Sequence, residues 1–379
     1  MIEPLNVMKV SARIWLWSSV FTTALGCGNS SSPDESRAMA DASVENDALA
    51  DLDAGGATDG QSHSGTVWLA FAADFATGTT CGDEPTGSLG AAGCDIYRAK
   101  LDPSSYAPLT VERLTTDAVP EVFPSITRDG SRVYFHTLDS KSARSIGFVD
   151  AATKARSIVI AGAQYADVFP DGSKLAYSDV TAGYVVSYAA LDSAGTKAGA
   201  STPLTTFKPS QDPNVGNDGQ RVLFHVTGSS PGVYLSDLSG SAPLTVSNTS
   251  GFGHCALSPS QTKIVCDSAT GTGLSSWTIS GTNVSGPAVA VADPSNLGAL
   301  DSDYASCMFT SVDFPSFCDD SHLTLSISCV GPSGILFSKV YLADLATSPA
   351  TLSPLGATLA TAFGGPGKTS WTPHCRVSP

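Results

Sequence analysis

Four segments of the chain align with one another without gaps: PSITRDGSRVYFHT from Pro124, ADVFPDGSKLAYSD from Ala166, PNVGNDGQRVLFHV from Pro213 and CALSPSQTKIVCDS from Cys255. Successive segments start 42, 47 and 42 residues apart. Each has alternating apolar residues on both sides of a short turn. Three of the four turns contain Asp-Gly, in which glycine supplies the left-handed conformation that tight hairpins need. A strand-turn-strand unit that recurs about every 40–50 residues predicts the four-stranded blades of a β-propeller.

Each repeat continues with two more strand-like segments. The third strands are expected from Cys94, Ser145, Gly183 and Gly232, and the fourth strands from Pro108, Pro203 and Pro243. Helical periodicity is almost absent after residue 66, so the fold class that we expect is all-β.

The pattern P-x-[I/V]-x-x-D-G-x-x-[V/L]-x-[F/Y], followed by [I/V]-Y-x-x-D-L and P-L-T, resembles the TolB-type propeller repeat of the bacterial envelope. The resemblance covers residues 66–379 in outline and is closest over 119–250. It implies a propeller in the cell envelope, but a repeat of this kind identifies a fold and says little about function.

The number of blades follows from the first strands. They are expected at 122–126, 164–169, 211–215, 252–257 and 304–309, with a last one at 373–379. The chain enters the domain at 66–71, which reads as a second strand without its first. The C-terminal strand should therefore complete the N-terminal blade and close the ring. We expect six blades, and seven stay open because residues 330–369 have room for more than outer strands.

The N-terminus has the features of an export signal. Lys9 and Arg13 precede an uncharged apolar stretch at 14–26 that is too short to span a bilayer. The stretch ends in Ala-Leu-Gly before Cys27, which resembles the lipobox of bacterial lipoproteins. The resemblance implies cleavage after residue 26 and acylation of Cys27, for example with palmitate. An ordinary signal peptide with an incidental cysteine is the alternative.

Charge and composition separate an anchor region from a domain. Residues 28–65 contain eight acidic residues against one arginine and almost no bulky apolar side chains, so we expect 27–65 to be a disordered acidic tether. Of the net charge of −15, residues 28–65 contribute −7 and residues 1–27 contribute +1, which leaves −9 on 66–379. An acidic domain without a basic cluster is not expected to bind nucleic acid. By the lipoprotein sorting rule, Gly28 indicates the outer membrane, on its periplasmic or its surface-exposed face.

Eight cysteines remain besides Cys27, and an even number in an exported chain favours disulfides. Their places in the repeats favour Cys81–Cys94, Cys255–Cys266, Cys307–Cys329 and Cys318–Cys375. A competing scheme joins Cys307 to Cys318 and Cys329 to Cys375.

Candidate binding residues come from the first strands, which should line the central channel. Asp167, Asn214 and Arg376 occupy positions that the repeats make equivalent, near the ends of these strands, and so do His254 and His374. These five residues are candidates for a binding site at one mouth of the channel. Ordinary rim polarity and repeat drift explain them equally well, and we expect no metal and no cofactor.

The function that best fits these features is that of a monomeric, membrane-anchored envelope lipoprotein whose propeller docks another protein or a peptide. No set of residues is predicted to be catalytic, because glutamate is scarce in the domain and most aspartates lie in hairpin turns. We also expect no serine-hydrolase nucleophile. The alternative is a propeller that binds, or acts on, a carbohydrate or small ligand in its channel. A surface component without a dedicated ligand is the third interpretation.

Overall fold

The structure is a computed structural model. It describes residues 65–76, 94–116, 119–138, 143–228, 230–239, 243–246, 249–268, 273–281, 283–292, 301–331, 334–347, 350–365 and 369–378. All of these belong to one unit, Gly60–Pro379. The expected signal peptide, the lipidation site Cys27, the tether to residue 64 and Cys81 lie outside the described residues.

The described residues form 24 strands and one α-helix. The strands are β1 (Val67–Ala73), β2 (Asp95–Leu101), β3 (Pro108–Arg113), β4 (Val122–Ile126), β5 (Arg132–Leu138), β6 (Arg144–Asp150), β7 (Arg156–Ala161), β8 (Ala163–Val168), β9 (Lys174–Asp179), β10 (Val185–Ala190), β11 (Thr202–Pro203), β12 (Ser210–Val215), β13 (Arg221–Val226), β14 (Gly232–Asp237), β15 (Leu244–Val246), β16 (Phe252–Leu257), β17 (Lys263–Ser268), β18 (Leu274–Ser280), β19 (Asn283–Ala292), β20 (Phe309–Phe317), β21 (His322–Gly331), β22 (Gly334–Asp344), β23 (Thr351–Ser353) and β24 (Ser370–Val377). The helix, α1, is Leu355–Phe363. No helix among the described residues has the length and apolar character to cross a membrane.

These strands form six four-stranded sheets, so the predicted six-bladed propeller is confirmed. Blade one has the order β24-β1-β2-β3, and blades two to six are β4–β7, β8–β11, β12–β15, β16–β19 and β20–β23. The C-terminal strand β24 pairs antiparallel with β1, from Val67 opposite Val377 to Ala73 opposite Ser370. This is the closure that the sequence predicts. Residues 330–369 contain outer strands of blade six and α1 rather than a seventh blade.

One predicted strand is wrong. Residues 304–309 were expected to be the first strand of blade six, but Ser302–Ser306 is a short 3-10 helix and β20 begins at Phe309. The helix forms because the Asp301 side chain accepts a hydrogen bond from the backbone N–H of Asp303. Lys339 then holds both carboxylates, at 2.7 and 2.6 Å.

The hairpin turns and the core follow from the repeat pattern. Gly130, Gly172 and Gly219 have φ of 71°, 70° and 69°, as the Asp-Gly turns require.

The core lies between the blades. Each blade packs against two others, so two consecutive side chains of an inner strand are both buried, one on each face. Tyr134 packs toward blade three, while Phe135 packs toward blade one.

The described disulfides are those that the sequence favours: Cys255–Cys266, Cys307–Cys329 and Cys318–Cys375. The competing scheme is therefore wrong. Cys307 precedes β20 rather than lying within a first strand, because β20 starts later than predicted. Cys94 is also disulfide-bonded. Cys318–Cys375 joins blade six to β24, which secures the closing strand to the last blade.

Candidate binding site in the central channel

The six first strands meet around the central channel and share a backbone irregularity. Five of them contain a non-glycine residue with φ between 47° and 56°: Phe123, Tyr165, Asp212, Phe314 and Thr372. Pairing with the neighbouring strand shifts by one residue at each of these places. Because the bulge recurs from blade to blade, it belongs to the fold and turns these five side chains toward one mouth.

Two residues after each bulge, a side chain links its blade to the next one. Ser125 accepts a hydrogen bond from the backbone N–H of Val168, Asp167 from Val215, Asn214 from Leu257, Ser316 from Cys375 and His374 from Ile126. The sixth place belongs to Ala256, whose methyl group cannot accept. We call this set of inter-blade bonds the channel ring.

The channel ring corrects two predicted equivalences. Asp167 and Asn214 are equivalent, but their counterpart on the last strand is His374 rather than Arg376. His254 lies at a bulge position, and it is not the counterpart of His374. The sequences His254-Cys255 and His374-Cys375 look equivalent, which would place the bulge of β24 at His374. The left-handed residue of β24 is Thr372 instead, so its bulge lies two residues earlier.

The predicted site residues nevertheless converge. Asp167, Asn214, His254 and His374 all line one cavity of about 90 Å³ at the mouth where the first strands begin. Partly buried aromatic side chains, Phe123, Tyr165 and Phe314, also line it. Arg376 does not line this cavity, but its guanidinium forms an ion pair with Asp167, which does.

Asp167, which lines the cavity, belongs to a buried ion pair. The Arg376 guanidinium lies 3.2 Å from an Asp167 carboxylate oxygen and also donates to the backbone oxygens of Val168 and Val215. Arg376 therefore connects blade one to blades three and four across the channel. Burial alone would raise the pKa of Asp167, but Arg376 and His374 hold it well below its usual range.

The hydrogen bonds of His374 define its tautomer. Its Nδ1 accepts from the backbone N–H of Ile126 at 3.2 Å, so the proton of the neutral ring lies on Nε2, which donates to Asp167 at 2.9 Å. Burial lowers the pKa of His374 and outweighs the attraction of Asp167, which agrees with a neutral ring.

A second polar cluster lies on the other side of the cavity. His254 Nδ1 is 2.8 Å from Asp267 Oδ2, and its Nε2 is 3.7 Å from Asp212 Oδ2. His225 Nδ1 approaches the same Asp212 oxygen at 3.0 Å. Burial disfavours a charged His254 ring, but Asp267 and Asp212 outweigh it and raise the pKa of His254 to about 10. The same histidines hold the pKa of Asp212 below its usual range against the effect of burial.

Sequence reasoning missed Asp212, Asp267 and Asp313, which surround His254. One signal was present for Asp212, because it immediately precedes Pro213 at the place that Phe123 takes before its own proline. Asp267 lies on β17, which pairs with the strand of His254 in the same blade, so the hairpin register brings these two together. Asp313 lies on blade six, so its approach to His254 depends on the packing of two blades.

The sequence contains one match to the serine-hydrolase pattern, although no serine nucleophile was expected. Gly228 to Gly232 reads G-S-S-P-G and matches the G-x-S-x-G pattern. In the structure this segment connects β13 to β14, whereas the nucleophile elbow joins a strand to a helix. The backbone oxygen of Ser230 accepts a hydrogen bond from Tyr234. The match therefore has the wrong structural context for a nucleophile.

No family model matches the chain, and no curated protein matches its sequence. Solved structures do share its fold. TolB from Acinetobacter baumannii aligns with a TM-score of 0.55 and 14% identity, over 83% of this chain and 67% of that one. A chain of a nidogen/laminin complex aligns with a TM-score of 0.53 and 10% identity, over 82% and 99%. The fold is thus a TolB-like six-bladed propeller.

Proposed function

We propose that the protein is an outer-membrane lipoprotein whose propeller is a non-catalytic docking module for a protein or peptide. In this proposal residues 1–26 are the signal peptide, Cys27 bears the lipid, the tether ends at residue 65 and the propeller occupies 66–379. The partner would be another protein of the envelope, bound at the aromatic mouth of the channel.

The observation that carries the proposal is the shape of that mouth. A cavity of about 90 Å³ has room for a few waters or one side chain, whereas pockets for whole small molecules measure about 300–1,000 Å³. Asp167, which lines this cavity, is paired with Arg376 across the channel. A shallow cavity with aromatic walls suits one inserted side chain of a larger partner. A similar propeller comes from a nidogen/laminin complex, in which proteins bind one another.

Docking is tested by affinity capture of the full-length protein from detergent-solubilised envelopes. We expect a partner in stoichiometric amount, and we expect Tyr165→Ala to lower its recovery at least tenfold, since aromatic anchors contribute about 2 kcal/mol or more. Leu109→Ala is the matched control, because Leu109 is 55% exposed on β3, an outer strand. Capture of the protein alone, or equal recovery with both variants, would contradict the proposal.

The anchor is tested separately with Cys27→Ala. In a bacterial host fed with labelled palmitate, the unaltered chain should carry label and sediment with membranes. The variant should lose both properties, because without acylation only weak association remains. If the variant keeps the label, Cys27 is not the lipidation site.

A second candidate function is binding of a small or carbohydrate ligand in the channel. Convergence of His254, Asp212 and His374 on the cavity favours it, since a few convergent polar groups mark small-ligand sites. A screen of oligosaccharides for a thermal shift and for cleavage tests this alternative. A screen without either response would contradict this alternative.

A further inference from the structure

Three side chains from two blades present possible metal ligands to one another. His254 on β16, Asp267 on β17 and Asp313 on β20 each offer one nitrogen or oxygen, and these atoms all lie within 4.8 Å of one another. Asp267 is buried and the other two are half-buried. Donor atoms about 2.1 Å from a tetrahedral zinc ion are about 3.4 Å apart. To share one ion, the wider separations would close by up to about 1.4 Å, and the 2.8 Å contact between His254 Nδ1 and Asp267 Oδ2 would open by about 0.6 Å.

We propose that His254, Asp267 and Asp313 bind a divalent transition-metal cation, of which Zn²⁺ is the representative. One imidazole and two carboxylates form a ligand set that suits zinc and its neighbours better than the all-oxygen sets of calcium or magnesium. The fourth position would be open toward the channel, where water completes the coordination.

A carboxylate lies near the other ring nitrogen of His254. When one ring nitrogen binds a metal, the other usually donates to a carboxylate, which fixes the ring. Asp212 Oδ2 lies 3.7 Å from His254 Nε2, which is longer than a hydrogen bond, so the ring would have to shift by less than about 1 Å to make this contact. The same oxygen lies 3.0 Å from His225 Nδ1. The other oxygen of Asp212, Oδ1, is buried and makes no hydrogen bond within the described part of the chain. Asp212 lines the channel cavity, so this oxygen is able to accept a hydrogen bond from a group bound there.

Charge favours a cation at the same place. Among the described residues, Asp212 and Asp267 have ion pairs with histidines only, and neither meets a lysine or arginine. A protonated His254 offsets part of this negative charge, and a divalent cation would replace its proton with a larger charge. The site can also be reached, because His254 lines the channel cavity and its side chain is 30% exposed.

The test is metal binding by the full-length protein after removal of metals with EDTA. Equilibrium dialysis against Zn²⁺, followed by mass-spectrometric metal analysis, should give one ion per chain. Asp313→Asn should weaken binding about 10- to 100-fold, and His254→Gln should abolish it. The matched control is His322→Gln, since His322 is 29% exposed and pairs with one carboxylate, Asp319. It should bind Zn²⁺ like the unaltered chain.

Thermal unfolding of each variant checks that it is folded. If His254→Gln does not fold, Asp313→Asn still tests the proposal. Three results would overturn the proposal: no Zn²⁺ bound at millimolar concentration, binding that both site variants leave unchanged, or a preference for Ca²⁺ over Zn²⁺ and Mn²⁺. The first would mean that the cluster holds only a proton on His254.

Discussion

Asp167→Asn is the substitution that most directly tests how the channel is held together. The carboxylate accepts hydrogen bonds from Ser125 at 2.6 Å, the backbone of Val215 at 2.6 Å, His374 at 2.9 Å and Arg376 at 3.2 Å. An asparagine has the same shape but no charge, and one of its two terminal groups is a donor. It therefore leaves the Arg376 guanidinium without a counter-charge and places an amide N–H against another donor.

Both effects lower stability. Arg376 is 8% exposed, so its charge is poorly solvated once the carboxylate is lost. Removing one partner of a buried ion pair costs about 3–5 kcal/mol. An unsatisfied buried group costs about 1–3 kcal/mol, but the two losses share the same contacts and do not add in full. We expect Asp167→Asn to lower the free energy of unfolding by about 3–5 kcal/mol.

The assay is urea unfolding at pH 7 with the disulfides intact, followed by tryptophan fluorescence. Asp218→Asn is the control, because Asp218 is a turn residue that accepts from the backbone of Gln220. It should stay within about 0.5 kcal/mol of the unaltered chain. A loss below about 1 kcal/mol for Asp167→Asn would show that the pair does not hold the blades together.

The pH dependence supplies a second check. The pKa of Asp167 is depressed in the folded protein, so its contribution to stability is present above the unfolded pKa of about 3.9 and is lost as the pH falls. The stability difference between the unaltered chain and Asp167→Asn should therefore shrink between pH 5 and pH 3. A constant difference over that range would mean that the carboxylate charge does not contribute.

Two further predictions concern turns and disulfides. Gln261 has φ of 59° at a turn where other blades have glycine, so Gln261→Gly should raise the free energy of unfolding by about 0.5–1 kcal/mol. A smaller gain in urea unfolding would mean that the glutamine side chain contributes contacts of its own. Replacing both Cys318 and Cys375 with serine opens a 57-residue separation and should cost about 4 kcal/mol, against about 3 kcal/mol for the 11-residue separation of Cys255–Cys266. Equal or reversed losses in urea unfolding would argue against a chain-entropy effect.

The propeller could be predicted because its signals are local. Asp-Gly turns and alternating apolar residues lie within each repeat, and the partial blade at 66–71 implies its own completion by the last strand. The start of β20 could not be predicted in this way. The competing 3-10 helix begins at a local cap, Asp301, but the Asp301 and Asp303 carboxylates are also paired with Lys339, which comes from a strand more than 30 residues later.

The channel was predictable only in part. Side-chain alternation placed Asp167, Asn214, His254 and His374 at one mouth, because a shift of two residues keeps a side chain on the same face of a strand. Because His374 and Arg376 are also two residues apart, alternation alone could not show which of them is the counterpart of Asp167. The place of the bulge in β24 was in fact marked in the sequence, because four of the five left-handed bulge residues directly precede a proline: Phe123, Asp212, Phe314 and Thr372. The match between His254-Cys255 and His374-Cys375 concealed that signal.

The channel ring and the proposed metal site meet between blades five and six. Ala256 leaves blade five without the hydrogen bond that five other blades make to their neighbours. Blades five and six are joined here by Asp267 instead, whose carboxylate accepts from the backbone N–H of Phe314 at 3.3 Å and pairs with His254. A cation shared by Asp267, His254 and Asp313 would connect the same two blades. If the metal binds there, Zn²⁺ at 100 times its dissociation constant should stabilise the fold by about 2.7 kcal/mol, and Asp313→Asn, with its 10- to 100-fold weaker binding, should reduce that gain to about 0.4–1.4 kcal/mol at the same Zn²⁺ concentration.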